Sequence, residues 1–322
     1  MDARRAFLER LIDYAGLFPP ARLPMDGAVA GYLHAGNDLN RWVLDRFICP
    51  ASRLEELASA LTGWQHSGRE PWRISLVMDA AAADWPDGLT SDIDKARTFH
   101  ERTRPAALIE LVEMPLPRPL VEDDRLGLEV GAVLARLGST GIPALPFFEV
   151  PFGDRWEESM PRALAGLAAA RQDVGHGLGA KVRCGGLTAD AFPSPQQVAR
   201  FITACRDLEL PMKATAGLHH PFRHRDPETG FTHHGFVNLM GAAILAHAHG
   251  LDTEALSREI ADEDTGDFGL TAQAFRWRHL EVTAGGISQA RRRLFVGYGS
   301  CSFREPVEDL MALGILPLEE VA

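Results

Sequence analysis

Short apolar runs alternate along this chain with longer stretches whose apolar residues recur every three to four positions. The runs end in polar residues, glycine or proline, and the stretches between them carry helical periodicity. This rhythm predicts strands over Gly16–Pro19, Val43–Cys49, Arg73–Asp79, Ala107–Glu113, Ala144–Val150, Gly179–Cys184, Pro211–Thr215 and Leu294–Gly297. It predicts helices over Leu54–Leu61, Asp92–Thr103, Leu126–Leu137, Ser159–Arg171, Ser194–Leu208, Gly235–His249 and Val307–Leu313. The segment Pro193-Ser-Pro-Gln-Gln197 is a helix start, with a capping serine and proline at the first helical position.

Strands that are apolar nearly throughout, alternating with helices, mean a parallel sheet covered on both faces. Eight such units fit an α/β (β/α)8 TIM-like barrel. No Gly-x-Gly-x-x-Gly follows the first strand, which argues against a dinucleotide fold. The whole chain, residues 1–322, reads as one barrel domain. Residues 219–293, between the seventh and eighth strands, break the rhythm and read as an insertion. This segment holds most of the histidines and could be a lid or a homo-oligomer contact.

Composition narrows the class. The 322 residues carry a net charge of −11, which excludes a general nucleic-acid binder with a basic face. No apolar run reaches the length of a membrane span, and the N-terminus lacks a signal-peptide core. Cys49, Cys184, Cys205 and Cys301 lie far apart and read as reduced thiols of a cytoplasmic protein.

One count changes the picture further. Of 33 basic residues only Lys95, Lys181 and Lys213 are lysine. Two of these sit in look-alike segments, Gly179-Ala-Lys-Val-Arg-Cys-Gly-Gly186 and Pro211-Met-Lys-Ala-Thr-Ala-Gly217. Lysine can lose its proton in a suitable site near neutral pH and arginine cannot. Alternation along a strand puts Lys181 with Arg183, and Lys213 with Thr215, on the inward face. Two ammonium groups on adjacent strands would depress one pKa and activate an amine for Schiff-base formation with a carbonyl. The plainer reading is a pair of positional charges that bind an anion.

The surrounding residues extend this site. Gly185 and Gly186, Gly217, and the run Gly297-Tyr-Gly-Ser-Cys-Ser302 fall at C-terminal strand ends, where backbone N–H groups of Gly299 and hydroxyls of Ser300 and Ser302 can meet a phosphate. Taken one at a time, these glycines need only turn the chain. Glu113 and Glu149, each near the end of a strand, can shuttle protons for Lys181 or form interior salt bridges. Arg183 stays charged and fits a substrate clamp. His219 and His220, just beyond the seventh strand, read as acid/base or substrate contacts, and His247 and His249 as structural. The histidines show neither a His-x-His pair at the seventh strand nor a His-Glu-x-x-His spacing. The site therefore calls for no metal and no cofactor.

The sixth-strand Lys-x-x-x-Gly, the seventh-strand Lys-x-x-x-Gly and the final Gly-x-x-Ser resemble deoxyribose-phosphate aldolases, class I aldolases with a (β/α)8 barrel. That resemblance covers roughly residues 179–217 and 294–303. It implies that Lys181 is the Schiff-base lysine, that Lys213 lowers its pKa, and that Gly185, Gly217 and Ser302 contact phosphate. Where that family has an acid/base aspartate on its fourth strand, this chain offers Glu110 or Glu113. The expected activity is thus a Schiff-base lyase acting on a small anionic, carbonyl-bearing metabolite, phosphorylated or not. Two alternatives stand beside it. One is a metal-assisted hydrolase or isomerase built on His219 and His220. The other is a barrel that binds a ligand or partner without catalysis.

Overall fold

The computed structural model describes residues 2–64, 69–80, 84–175 and 177–317. Its first seven strands are β1 (Ile12–Tyr14), β2 (Leu44–Pro50), β3 (Trp72–Val77), β4 (Ala107–Pro115), β5 (Leu145–Glu149), β6 (Gly179–Arg183) and β7 (Met212–Thr215). A short hairpin, β8 (His224–Arg225) with β9 (Thr232–His233), follows. An antiparallel meander comes next, β10 (Phe268–Leu270), β11 (Ala274–Trp277) and β12 (Leu280–Thr283), and then β13 (Phe295–Ser300). Eight strands close into a barrel in the order β1-β13-β7-β6-β5-β4-β3-β2, so the fold is an α/β parallel barrel with helices between its strands. Among the described residues no helix is long and apolar enough to cross a membrane.

The first barrel strand lies elsewhere than the pattern predicts. Gly16–Pro19 is a turn closed by the Phe18 N–H on the Ala15 carbonyl, at 2.9 Å, and the strand is Ile12–Tyr14. Asp13 interrupts its apolar run and so hides it. That carboxylate is buried, accepts the Arg46 N–H at 3.0 Å and pairs with the Arg46 guanidinium at 3.5 Å. A buried charge is tolerable only when it is paired in this way. The helices Ala3–Leu8 and Met25–Ala35 also escape the pattern; the second carries glycine at positions 27 and 31.

The contacts divide the chain into two compact units. One comprises Asp13–Leu33 and Arg46–Lys181. Its strands β3 to β6 pair in parallel, and Phe147 and Phe148, neighbours on β5, are both fully buried. Successive residues point to opposite faces, so β5 is covered on both. Each such phenylalanine contributes roughly 2–3 kcal/mol of apolar burial. The helices Leu126–Ser139 and Trp156–Val174 pack against each other and bury Val130, Leu134, Leu164 and Leu167.

The other unit comprises Met1–Ile12, His34–Asp45 and Val182–Ala322. Its centre is the helix Phe236–His249, buried continuously from Phe236 to Ala246. The helices Pro195–Asp207, Thr253–Ile260 and Ala284–Arg293 pack around it. Gly241 permits the close approach: a Cβ there would lie 2.5 Å from Phe275 Cζ. The helix Pro195–Asp207 starts as its sequence predicts. Ser194 Oγ accepts the Gln197 N–H at 3.2 Å, and Gln197 Oε1 accepts the Ser194 N–H at 2.7 Å.

Candidate functional site

Two clusters of titratable groups stand out, one in each unit. The first lies on β3 to β6. In parallel register Glu149 on β5 pairs with Lys181 on β6, and Glu113 on β4 pairs with Phe147 on β5. Lys181 Nζ lies 2.6 Å from Glu113 Oε2 and 2.9 Å from Glu149 Oε2. The Ser75 hydroxyl on β3 donates to Glu113 Oε1 at 2.6 Å. Both Glu113 and Lys181 are buried, whereas Glu149 keeps 14% of its side chain exposed. The structure therefore brings both sequence-identified carboxylates to Lys181 and adds Ser75.

The protonation of Lys181 differs from the expected one. Burial pushes the ammonium toward the neutral form, but the charges and hydrogen bonds of Glu113 and Glu149 outweigh it and hold the pKa above the ordinary lysine value. The resting amine is an ammonium ion shared by two carboxylates, not one neutralised by a like charge. Lys213 is buried on β7, in register with Gly297 of β13, and Thr215 is in register with Gly299.

Arg183 ends β6 as an exposed residue, while Cys184 beyond it is buried and donates its N–H to the Thr215 carbonyl at 2.8 Å. Glu110, the other fourth-strand carboxylate, pairs with Arg46 at 3.0 Å and Arg73 at 2.6 Å.

The loop glycines have steric work to do. A Cβ on Gly185 would lie 3.0 Å from Gly217 Cα and 2.8 Å from Phe192 Cε1, and Gly217 adopts φ +70°. These two glycines let their loops touch. A Cβ on Gly186 would meet Ala191 Cβ at 2.5 Å. Ser300 Oγ accepts the Ser302 N–H at 3.3 Å, and Ser302 Oγ accepts the Glu305 N–H at 3.2 Å at the start of the helix Arg304–Ala312. The phosphate donors read from the sequence thus already hold the loop that follows β13.

The second cluster surrounds that loop. His219 Nδ1 lies 2.8 Å from Glu305 Oε2, and its Nε2 lies 3.8 Å from Cys301 Sγ. His220 Nδ1 lies 2.7 Å from Asp309 Oδ2. His220 meets His224 edge-on at 4.6 Å between ring centroids, and His224 meets His233 at a tilt at 5.5 Å. His234 is buried between the Pro193 carbonyl, 2.7 Å from Nε2, and Arg223 Nη1, 3.2 Å from Nδ1. Burial lowers the His219 pKa, but hydrogen bonds to Cys301 and Glu305 and their charges raise it further, to about 10. Glu305 is held below the usual carboxylate range, chiefly by its hydrogen bond to His219. His249, by contrast, meets the Glu281 carbonyl at 3.1 Å.

Ser75, Cys301, Glu305 and Asp309 were not identified from sequence. Cys301 follows the glycine-rich β13, but its partner His219 lies 82 residues away, so no local spacing exposes the pair. Among the described residues, no three His, Cys, Asp or Glu side chains are grouped as ligands for a metal ion. A surface cleft of about 720 Å³, lined by Glu55, Asp94, Lys95 and neighbours, contains neither cluster. Comparison with known proteins finds no matching family model and no similar curated protein.

Proposed function

We propose that this protein is a Schiff-base lyase of the aldolase type, acting through Lys181 on a small anionic, carbonyl-bearing metabolite, with a phosphorylated substrate as the leading case. The observation that carries this reading is the Lys181 ammonium held within 2.9 Å of two carboxylates inside the β4-β5-β6 sheet. An amine that must become a nucleophile needs a base to take its proton, and a carbinolamine needs an acid to expel its hydroxyl as water. Glu149, the more exposed carboxylate, suits that exchange. Glu113 is anchored by Ser75 and keeps the chain of charges in place.

In this reading the Lys181 proton passes to Glu149 as the carbonyl arrives. Nζ then attacks the carbonyl carbon, a second Nζ proton moves to the carbonyl oxygen, and Glu149 returns its proton to the hydroxyl so formed, which leaves as water. The resulting iminium draws electrons from the neighbouring C–C bond as Glu149 takes the substrate's β-hydroxyl proton and the cleaved fragment leaves as an aldehyde. Glu149 then protonates the enamine carbon, and water hydrolyses the iminium to release the second product and restore Lys181. In this reading the chain is a single (β/α)8 domain in which residues 219–293 are an insertion. The four cysteines, which form no disulfide among the described residues, suit a cytoplasmic protein.

Reductive trapping tests the reading. The protein is incubated with cyanoborohydride and, separately, glyceraldehyde 3-phosphate, glycolaldehyde phosphate, pyruvate or acetaldehyde. One covalent adduct on the Lys181 peptide is expected with at least one probe, and none with Lys181→Arg. Absence of a Lys181 adduct with all four probes sinks the reading and leaves an interior ion-pair cluster.

A further inference from the structure

We infer that Cys301, His219 and Glu305 form a second nucleophilic centre, in which the Cys301 thiol accepts an acyl group from an activated ester or thioester. Three groups from three parts of the chain converge here. Cys301 stands immediately beyond β13, His219 follows β7, and Glu305 lies in the first turn of the helix Arg304–Ala312. The geometry is that of a nucleophile, a base and an orienting carboxylate. His219 Nδ1 meets Glu305 at 2.8 Å, which turns Nε2 toward the sulfur at 3.8 Å. Such nucleophile–base contacts are commonly longer before substrate binds.

Cys301 lies just ahead of the N-terminus of a nine-residue helix, where exposed N–H groups stabilise negative charge. Among the described residues, Cys301 and Glu305 contact His219 and its charge reaches His233, while His220, whose charge acts on Glu305, is itself held by Asp309. The anionic partners prevail, since the imidazolium is favoured to about pH 10. Access also singles out this thiol. Cys301 is partly exposed, whereas Cys49, Cys184 and Cys205 are buried, and burial drives the pKa of Cys49 and Cys205 upward.

The chemistry balances with water as the second reactant. The proton lost by the thiol is held on His219 Nε2 as Sγ bonds to the acyl carbon and the carbonyl electrons move to oxygen. Collapse of that intermediate expels the alcohol or thiol, which takes the proton from Nε2. Water, deprotonated by the same nitrogen, then attacks the acyl thioester, and release of the carboxylic acid restores the thiol.

The test has two arms on the full chain. Iodoacetamide, read by peptide mass spectrometry, should alkylate Cys301 at pH 7 at least about ten-fold faster than free cysteine, and His219→Gln should slow that labelling roughly ten-fold. Labelling of the native chain no faster than that of free cysteine overturns the activated thiol whether or not the variant folds. In the second arm, p-nitrophenyl acetate should release a stoichiometric burst of p-nitrophenolate and leave one acetyl group on Cys301, both lost in Cys301→Ala. No burst, or a burst that survives in Cys301→Ala, overturns acyl transfer at this site.

Discussion

Both oxygens of Glu113 are committed inside the sheet: Oε2 meets Lys181 Nζ at 2.6 Å, and Oε1 accepts the Ser75 hydroxyl at 2.6 Å. With Glu149 added, one ammonium serves two carboxylates. The cluster carries a formal charge of −1 when all three groups are ionised. A second carboxylate beside a buried amine makes the amine harder to deprotonate and gives it two places to deliver a proton. That combination suits a lysine that stays charged until a carbonyl arrives. It also sets the energetic consequence of losing any one member.

Removing the cation should therefore cost more than removing either anion. Lys181→Met leaves Glu113 and Glu149 facing each other in a buried space, at a cost of about 3–5 kcal/mol. Lys181→Met combined with Glu113→Gln should recover part of that loss, because the repulsion between carboxylates disappears. Urea denaturation of the two variants at pH 7 measures this directly. Equal stabilities would show that the carboxylates do not repel and that the cluster is looser than its distances indicate.

His234 should impose an acid limit on stability. Arg223 donates to its Nδ1 and Nε2–H donates to the Pro193 carbonyl, so the buried ring is fixed in one neutral tautomer. Burial first, and the charges of Arg223 and His233 after it, lower its pKa to about 4, against a small gain from the Pro193 contact. A depressed histidine stabilises the fold above its unfolded value of 6.5, and that contribution is lost as pH falls through about 4. The loss across this window should reach about 3 kcal/mol. Stability against urea, followed from pH 7 to pH 4, should fall steeply in the native chain and less in His234→Gln. Parallel curves would assign the acid limb to other groups.

How much of this was legible follows from the range over which each feature is encoded. The apolar runs of β4 to β7 need only local alternation, and the helix after Ser194 needs only its capping box, so both can be read from the chain. Alternation and position at the strand ends likewise bring Glu113 and Glu149 to Lys181. Strand β1 is hidden because Asp13, stabilised by Arg46, breaks its apolar run. The direction of the Lys181 shift was misread because the sequence displays two lysines but not which charge lies nearest. Cys301 and Glu305 are invisible because their partner histidine stands on a loop more than 80 residues away.

Glu259 supplies the remaining prediction. It lies on the helix Thr253–Ile260, fully buried, and among the described residues neither side-chain oxygen has a hydrogen-bond partner. Its Oε1 sits where a Cβ on Gly241 would come within 2.7 Å, so the carboxyl is pressed against the central helix of its unit. Burial, reinforced by the charge of Asp262, raises its pKa well above the ordinary glutamate value. A carboxyl raised in the folded state contributes stability below its unfolded value of 4.5, and this contribution is lost as pH rises through the folded pKa. Glu259→Leu keeps most of the side-chain volume and removes the unpaired polar group, so it should stabilise the protein at pH 8 by about 1–3 kcal/mol. The gain should shrink toward pH 5, where the native carboxyl is already protonated. Denaturation curves at the two pH values decide the matter. A variant less stable than the native chain at pH 8 would mean that Glu259 meets a compensating partner in solution.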